Sequence, residues 1–433
     1  MEININLQII IQDLFCKLAP YLNYEHKLFI FQNIKEFILN NEINLNKIEF
    51  LDKFAYKCLI INNNDNDSYK NIDDNYFGLK LIWNFMQEEY KEKINDNKLF
   101  LDIINLCIKS IKNILEIDSL MDVIREDIIL KSLEKISSHI GSTQNLILIK
   151  EIISNSPLFD NFNLILEKIN LNSNIFSIII SDLLYYYSLN ENEEKDKIDN
   201  NNNIYNEEEI LKSHLSLIIE LMNHKRELNW EFDKFLKLWN KTSKNKLYSN
   251  IFYSNLAEEF PNIKNIFKEK IYKKIICNND LFKIETNEDL ELYKKFFYGI
   301  NLNNDNFIIL NKDLKIGNND LNSIIGYEKL WETLINSKNF DVQNNLSKLL
   351  YQICIGYKFP KKEEAKIYFN SFIETLIINL KKIIDNDRDE NKIKGIINLV
   401  KQINENKINE GLLIKQESNL PKLDNEKKKI INV

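Results

Sequence analysis

The side chains able to do nucleophilic or acid–base chemistry are few and scattered. Histidine occurs at His26, His139, His214 and His224, and cysteine at Cys16, Cys58, Cys107, Cys277 and Cys354. A nucleophilic pair needs a thiol within hydrogen-bond reach of an imidazole, and nothing local in this chain favours one. No CxxC pair occurs, and no two Cys or His residues lie at metal-ligand spacing. Each cysteine sits beside Leu, Ile, Lys or Tyr in a helical stretch, so reduced, core-packed thiols of an intracellular protein are expected. His214 adjoins an apolar stripe. His224 precedes Lys225 and Arg226 near a helix end, where a cation complements the helix dipole. Structural or surface roles are expected of all four histidines. The adjacent acids Glu88–Glu89, Glu193–Glu194, Glu207–Glu209 and Glu363–Glu364 point away from one another on a helix and suit solvated faces better than a catalytic dyad. No catalytic residue, metal ligand or cofactor is expected.

The aromatics carry more signal. Trp83, Trp230, Trp239 and Trp331 each lie in a helical context, where an indole buries a large area between helices or anchors a partner at the surface. Tyr185, Tyr186 and Tyr187 span too much of a helix circumference for all three to be buried. The candidate partner contacts are therefore Tyr185, Tyr186, Tyr187, Trp83 and Trp230.

These side chains must be positioned by helices. The 433 residues are 44% hydrophobic but include only 8 Gly and 5 Pro. A large sandwich or barrel usually draws on more Gly and Pro for its turns, and a Rossmann or P-loop enzyme needs clustered glycines. Asn supplies the loops instead, because it caps helices and tolerates left-handed backbone. The net charge is −7 with both signs interspersed, and Arg occurs only at Arg125, Arg226 and Arg388. That balance does not suit a nucleic-acid footprint. No signal peptide or membrane span is expected, and no small-molecule substrate. A cytoplasmic location follows, with the nucleus also open.

Apolar periodicity predicts helices at 4–18, 24–41, 44–60, 75–92, 97–115, 118–139, 142–155, 157–169 and 172–188. More follow at 207–227, 229–241, 247–258, 261–277, 287–298, 326–336, 341–356, 361–385 and 390–408. Leu211, Leu215, Ile218, Ile219 and Met222 form one stripe, and Val342, Leu346, Leu349, Leu350, Ile353 and Cys354 another. Gly141 is expected as a left-handed helix cap, Ser142 as the next N-cap, and Pro261 at a helix start. The segment 306–316 is compatible with short strands. Polar breaks at 62–75 and 189–206 suggest inserted loops or segment boundaries. The expected organisation is a helical-repeat segment 1–188, an acidic Asn-rich linker or loop 189–206, a second helical-repeat segment 207–414 and a polar tail 415–433. So many helices exceed one globular core, so the expected fold is an all-α, armadillo/HEAT-like solenoid.

One set of residues has a family likeness. His224-Lys225, Leu228-Asn229-Trp230, Leu238-Trp239, Leu281-Phe282 and the run Tyr293–Phe297 with Asn301 occur in order. They are followed by GYEKLWETLINSKNFDVQNNLSKLLYQI at 326–353. Over roughly 210–385 the chain resembles the non-catalytic helical region of very large ubiquitin-specific proteases of the fat-facets type. The resemblance implies an interaction scaffold whose partners are proteins, among them ubiquitinated substrates or regulators. It implies that deubiquitination belongs to a cysteine box and a histidine box outside this chain, since none of the five cysteines has the required setting. The alternative is an armadillo/HEAT-like adaptor in transport or complex assembly, unrelated to ubiquitin.

Overall fold

A computed structural model describes residues 5–59, 77–94, 96–116, 122–154, 162–191, 205–223, 232–278, 281–303, 307–310, 313–316, 324–355, 362–386 and 390–410. The described residues are helical almost throughout. The first helices are α1 (Ile5–Leu18), α2 (Tyr24–Leu39), α3 (Leu45–Leu59), α4 (Leu79–Met86), α5 (Asn97–Leu115) and α6 (Asp122–Ser137). Next come α7 (Ser142–Ser154), α8 (Phe162–Ser173), α9 (Ile175–Glu191), α10 (Glu207–Asn223), α11 (Phe232–Thr242) and α12 (Lys246–Glu259). Then α13 (Asn265–Ile271) and α14 (Asn287–Asn303) lead to strands β1 (Phe307–Leu310) and β2 (Asp313–Ile316). The last helices are α15 (Tyr327–Asn336), α16 (Phe340–Ile355), α17 (Lys362–Asn386) and α18 (Glu390–Glu410). The strands form an antiparallel hairpin with Phe307 opposite Ile316, which settles the segment left open by its sequence. No described helix is long and apolar enough to cross a membrane.

Two compact units divide the chain at Leu256/Ala257, not at 189–206. The reason is packing: α10 lies against α7 and α9, and α11 lies against α9, so both belong to the first unit. Most of 189–206, the break at 62–75, and the tail 415–433 lie outside the described residues.

Within the first unit, contacts follow chain order. Helix α1 packs on α3, α3 on α5, α5 on α7, and α7 on α10; beside them α6 packs on α9 and α9 on α11. Within the second, α14 packs on α16 and α16 on α18, with α15 against both α16 and α18. An apolar stripe faces such neighbours: Phe100, Ile103, Ile104, Cys107, Ile108, Ile111 and Ile114 are all buried on α5.

Helix ends explain how so few glycines suffice. Asn side chains accept the first free N–H groups: Asn23 from His26 (2.9 Å), Asn44 from Lys47 (3.1 Å), Asn174 from Ser177 (3.1 Å) and Asn206 from Glu209 (2.9 Å). The Asn206–Glu209 pair is reciprocal, since Glu209 accepts from the Asn206 N–H at 3.0 Å; each such cap is worth about 1 kcal/mol. At C-termini, cations reach the last carbonyls. Lys93 donates to Leu39 O (3.0 Å), Lys27 to Cys58 O (3.0 Å), Arg125 to Leu115 O, and Lys329 to Ile276 O (2.5 Å). Charge and donor both match the negative end of the dipole.

Three described helices are followed by a left-handed residue that is not glycine: Glu88 (φ 64°) after α4, His139 (φ 59°) after α6 and Asn174 (φ 45°) after α8. After the first two, the next N–H reaches back five residues, Glu89 to Asn84 O (3.2 Å) and Ile140 to Lys135 O (3.0 Å). The cap after α6 therefore uses His139. Gly141 is also left-handed (φ 56°), but its carbonyl receives the amide of Asn145 at the start of α7. Ser142 is the first residue of α7 and not its cap. The expected helix 261–277 is interrupted: Pro261 opens a 3-10 turn, Phe260–Asn262, Ile263 is extended (ψ 142°), and α13 then runs into a π-turn, Tyr272–Ile276.

Candidate functional site

The run Ile175–Tyr187 of α9 holds a single ionisable acid, Asp182, among apolar and aromatic residues. Asp182 is buried (5% exposed). Its two oxygens meet two histidines from other elements: His139 Nδ1 at 2.5 Å from Oδ1, and His214 Nε2 at 2.8 Å from Oδ2. The Ser142 hydroxyl adds a third hydrogen bond from the first turn of α7. Burial opposes the charge, but the bond and charge of His214, with the bonds from His139 and Ser142, hold the carboxyl below its ordinary value.

His214, on α10, is 1% exposed, and its Nδ1 lies 2.7 Å from Ile210 O one turn back. Its two ring nitrogens therefore face two acceptors. His139 is held at its left-handed cap position with a third of its side chain exposed. Its ring lies flat on Tyr185, centroids 3.8 Å apart and planes 12° apart.

Beside this cluster the start of α7 is tied to the end of α4. Gln87 and Asn145 exchange amide hydrogen bonds (2.8 and 3.2 Å), and Gln144 donates to Glu88 (2.9 Å). Gln144 and Asn145 are both buried. Pairing polar groups in this way lets a polar layer sit inside the helices.

The sequence candidates fall out as follows. Tyr185 is 43% exposed and is the tyrosine of the triplet that faces out. Tyr186 is half-buried. Tyr187 is buried at 4%, packs on Tyr248 with centroids 5.1 Å apart, and its oxygen accepts from Thr242 (3.3 Å). Burial pushes its phenol above the ordinary value. Trp83 is also buried, at 8%. A helix that packs on two neighbours turns only a narrow strip outward, so Tyr187 and Trp83 serve the core and their rings offer no contact surface. Trp230 and His224 lie outside the described residues.

An aspartate-oriented imidazole with its far nitrogen outward is the arrangement of a general base. Here the carboxylate serves two rings and a hydroxyl at once, which suits a clamp joining the α6–α7 junction, α9 and α10. The other reactive groups are subdued. Burial pushes the Cys58 thiol up to about 12 and the Cys277 thiol up to about 11, and raises Cys107 further. These are thiols, not thiolates, at neutral pH. No group of three or more His, Cys, Asp or Glu among the described residues could hold a metal ion.

Sequence reasoning named His139 and His214 but missed Asp182 and its pairing with them, across 43 and 32 residues. The available signal was the lone acid in an apolar helix, since an unpaired carboxylate there would be costly. No protein-family model and no curated protein matches the chain.

Proposed function

We propose that this chain is a non-catalytic protein-interaction scaffold, built as an armadillo/HEAT-like helical-repeat solenoid and akin to the helical arm of fat-facets-type ubiquitin-specific proteases. The observation that carries the reading is the order of packing. Helices two or three apart in the chain stack on each other in succession, which is how repeat arrays bury one face and continue. The contact surface is centred on Tyr185, stacked on His139 and backed by the Asp182 clamp. An amphipathic aromatic on a rigid support is the kind of anchor that dominates protein interfaces. Its partners are proteins, with ubiquitinated substrates or regulators as the leading class.

Support for the family comes from where the resembling residues sit. Trp239, Tyr293, Phe296, Phe297 and Trp331 are buried. Asn301 clamps the Ile325 backbone with two bonds of 2.9 Å, and Tyr293 donates to Gly326 O (3.1 Å). The likeness is therefore one of packing. That same fact favours the second reading, an adaptor in transport or complex assembly with no link to ubiquitin, because core residues carry no partner choice.

The test is a pair of assays on the whole chain. Hydrolysis of a ubiquitin C-terminal amide is expected to be nil; turnover that disappears in a single Cys→Ala variant would overturn the non-catalytic reading. Affinity capture with free ubiquitin as one ligand separates the two scaffold readings. Enrichment of ubiquitin or ubiquitin-pathway proteins supports the first, and enrichment of transport or assembly factors alone supports the second.

A further inference from the structure

Large apolar side chains exposed among the described residues are not spread evenly. Ile10, Ile11, Leu14, Leu18, Tyr21, Tyr24, Phe29 and Phe37 fall within the first two helices and their turn, and the other ten are dispersed from Val123 to Ile397. Scattered exposed apolar groups need no explanation, but a contiguous face does.

The face has a shape. Helices α1 and α2 both pack on α3. Between them runs a groove of about 430 Å³, walled by Ile11 and Phe15 on one side and Phe29, Ile30 and Phe37 on the other. Its floor is Ile34 and Phe50, both buried. Beside the groove, Ile10 (62% exposed), Leu14 (51%) and Leu18 (43%) stand one turn apart as a ridge along α1. Phe29, Asn33 and Phe37 have the same four-residue spacing along the groove wall. Ridges and grooves of that spacing interdigitate when helices pack. The two charged residues of α1, Asp13 and Lys17, pair with each other at 2.6 Å, so no unpaired charge of α1 opposes burial.

We infer that this face binds a second copy of the chain, the ridge of each copy seated in the groove of the other. A ridge and a groove side by side on one surface are self-complementary about a two-fold axis, which is the requirement for an isologous dimer. The area suffices as well. Such an interface needs about 800 Å² per partner. The exposed parts of Phe29 and Phe37, aromatics of about 150–250 Å² each in full, together with Ile10, Ile11, Leu14, Leu18 and the groove walls, supply an area of that order. The inference stands independently of any link to ubiquitin.

Light scattering and sedimentation of the full chain over a dilution series test it. The wild type is expected to dimerise with a micromolar or tighter Kd. Leu14→Glu and Phe29→Glu should each weaken dimerisation about tenfold or more, as buried charge at an interface does. Ile378→Glu, on an exposed site outside the face, should leave it unchanged. Circular dichroism checks that the variants fold. If either fails to fold, amide exchange of the wild type decides: residues 10–37 should exchange more slowly as concentration rises. A wild type that stays monomeric, a dimer indifferent to both Glu variants, or exchange in 10–37 independent of concentration would each overturn the inference and leave the face to a different protein.

Discussion

Asp182 keeps its charge inside an apolar helix because three donors from three other places in the chain converge on it. Removing one member of a buried pair leaves the rest uncompensated, so Asp182→Asn should cost about 3–5 kcal/mol in denaturant unfolding. The pH dependence follows from the direction of the shift. The folded carboxyl lies below its ordinary 3.8, so the stabilisation is complete above about pH 4 and is lost as pH falls through the folded value. The gap between wild type and Asp182→Asn should therefore shrink in acid. A gap that stays constant down to pH 2 would contradict the clamp.

Lys329 makes the opposite case. It is buried, donates to Ile276 O and Phe282 O, and burial pulls its ammonium down to about 8. Lys329→Met should cost about 1–3 kcal/mol at neutral pH by stripping two carbonyls of a donor. The unfolded chain binds this proton more tightly than the folded one, so wild-type stability gains from about pH 8 towards the ordinary 10.5. The stability gap to Lys329→Met should widen over that range. None of this was legible from spacing. Lys329 reads as one more helical lysine, and the partners of Asp182 are brought to it only by folding.

At the scale of elements the sequence was far more informative. A helix was foreseeable at the place of each of the eighteen described helices, because a stripe repeats every three or four residues whatever the tertiary context. The helix at 97–115 starts where its capping Asp96 dictates. The misreadings are local backbone events. Ile263 breaks a run that is apolar enough to continue, and His139 takes a left-handed position for which Gly141 was the obvious candidate by its lack of a side chain. Gly326, in contrast, is irreplaceable. It precedes α15 with φ 87°, and a Cβ there would lie 2.0 Å from the Tyr272 oxygen and 2.8 Å from the Tyr293 oxygen. Gly326→Ala combines backbone strain with overpacking, each about 1–3 kcal/mol. A melting temperature within a degree or two of wild type would contradict that close approach.

For the molecule as a whole, two cores replace the expected division at the acidic linker, because helices on both sides of that linker pack together. The composition pointed to helices without glycine-rich chemistry. It could not say which tyrosine faces solvent, since that depends on the neighbours of α9. The central claim is that the chain acts by holding a protein at the Tyr185 surface. Photo-crosslinking tests it most directly, with p-benzoylphenylalanine placed at position 185 of the full chain and, as a control, at position 378. The account predicts a discrete protein captured at 185 and not at 378, identified by mass spectrometry. The same products from both positions, or none from either, would contradict it.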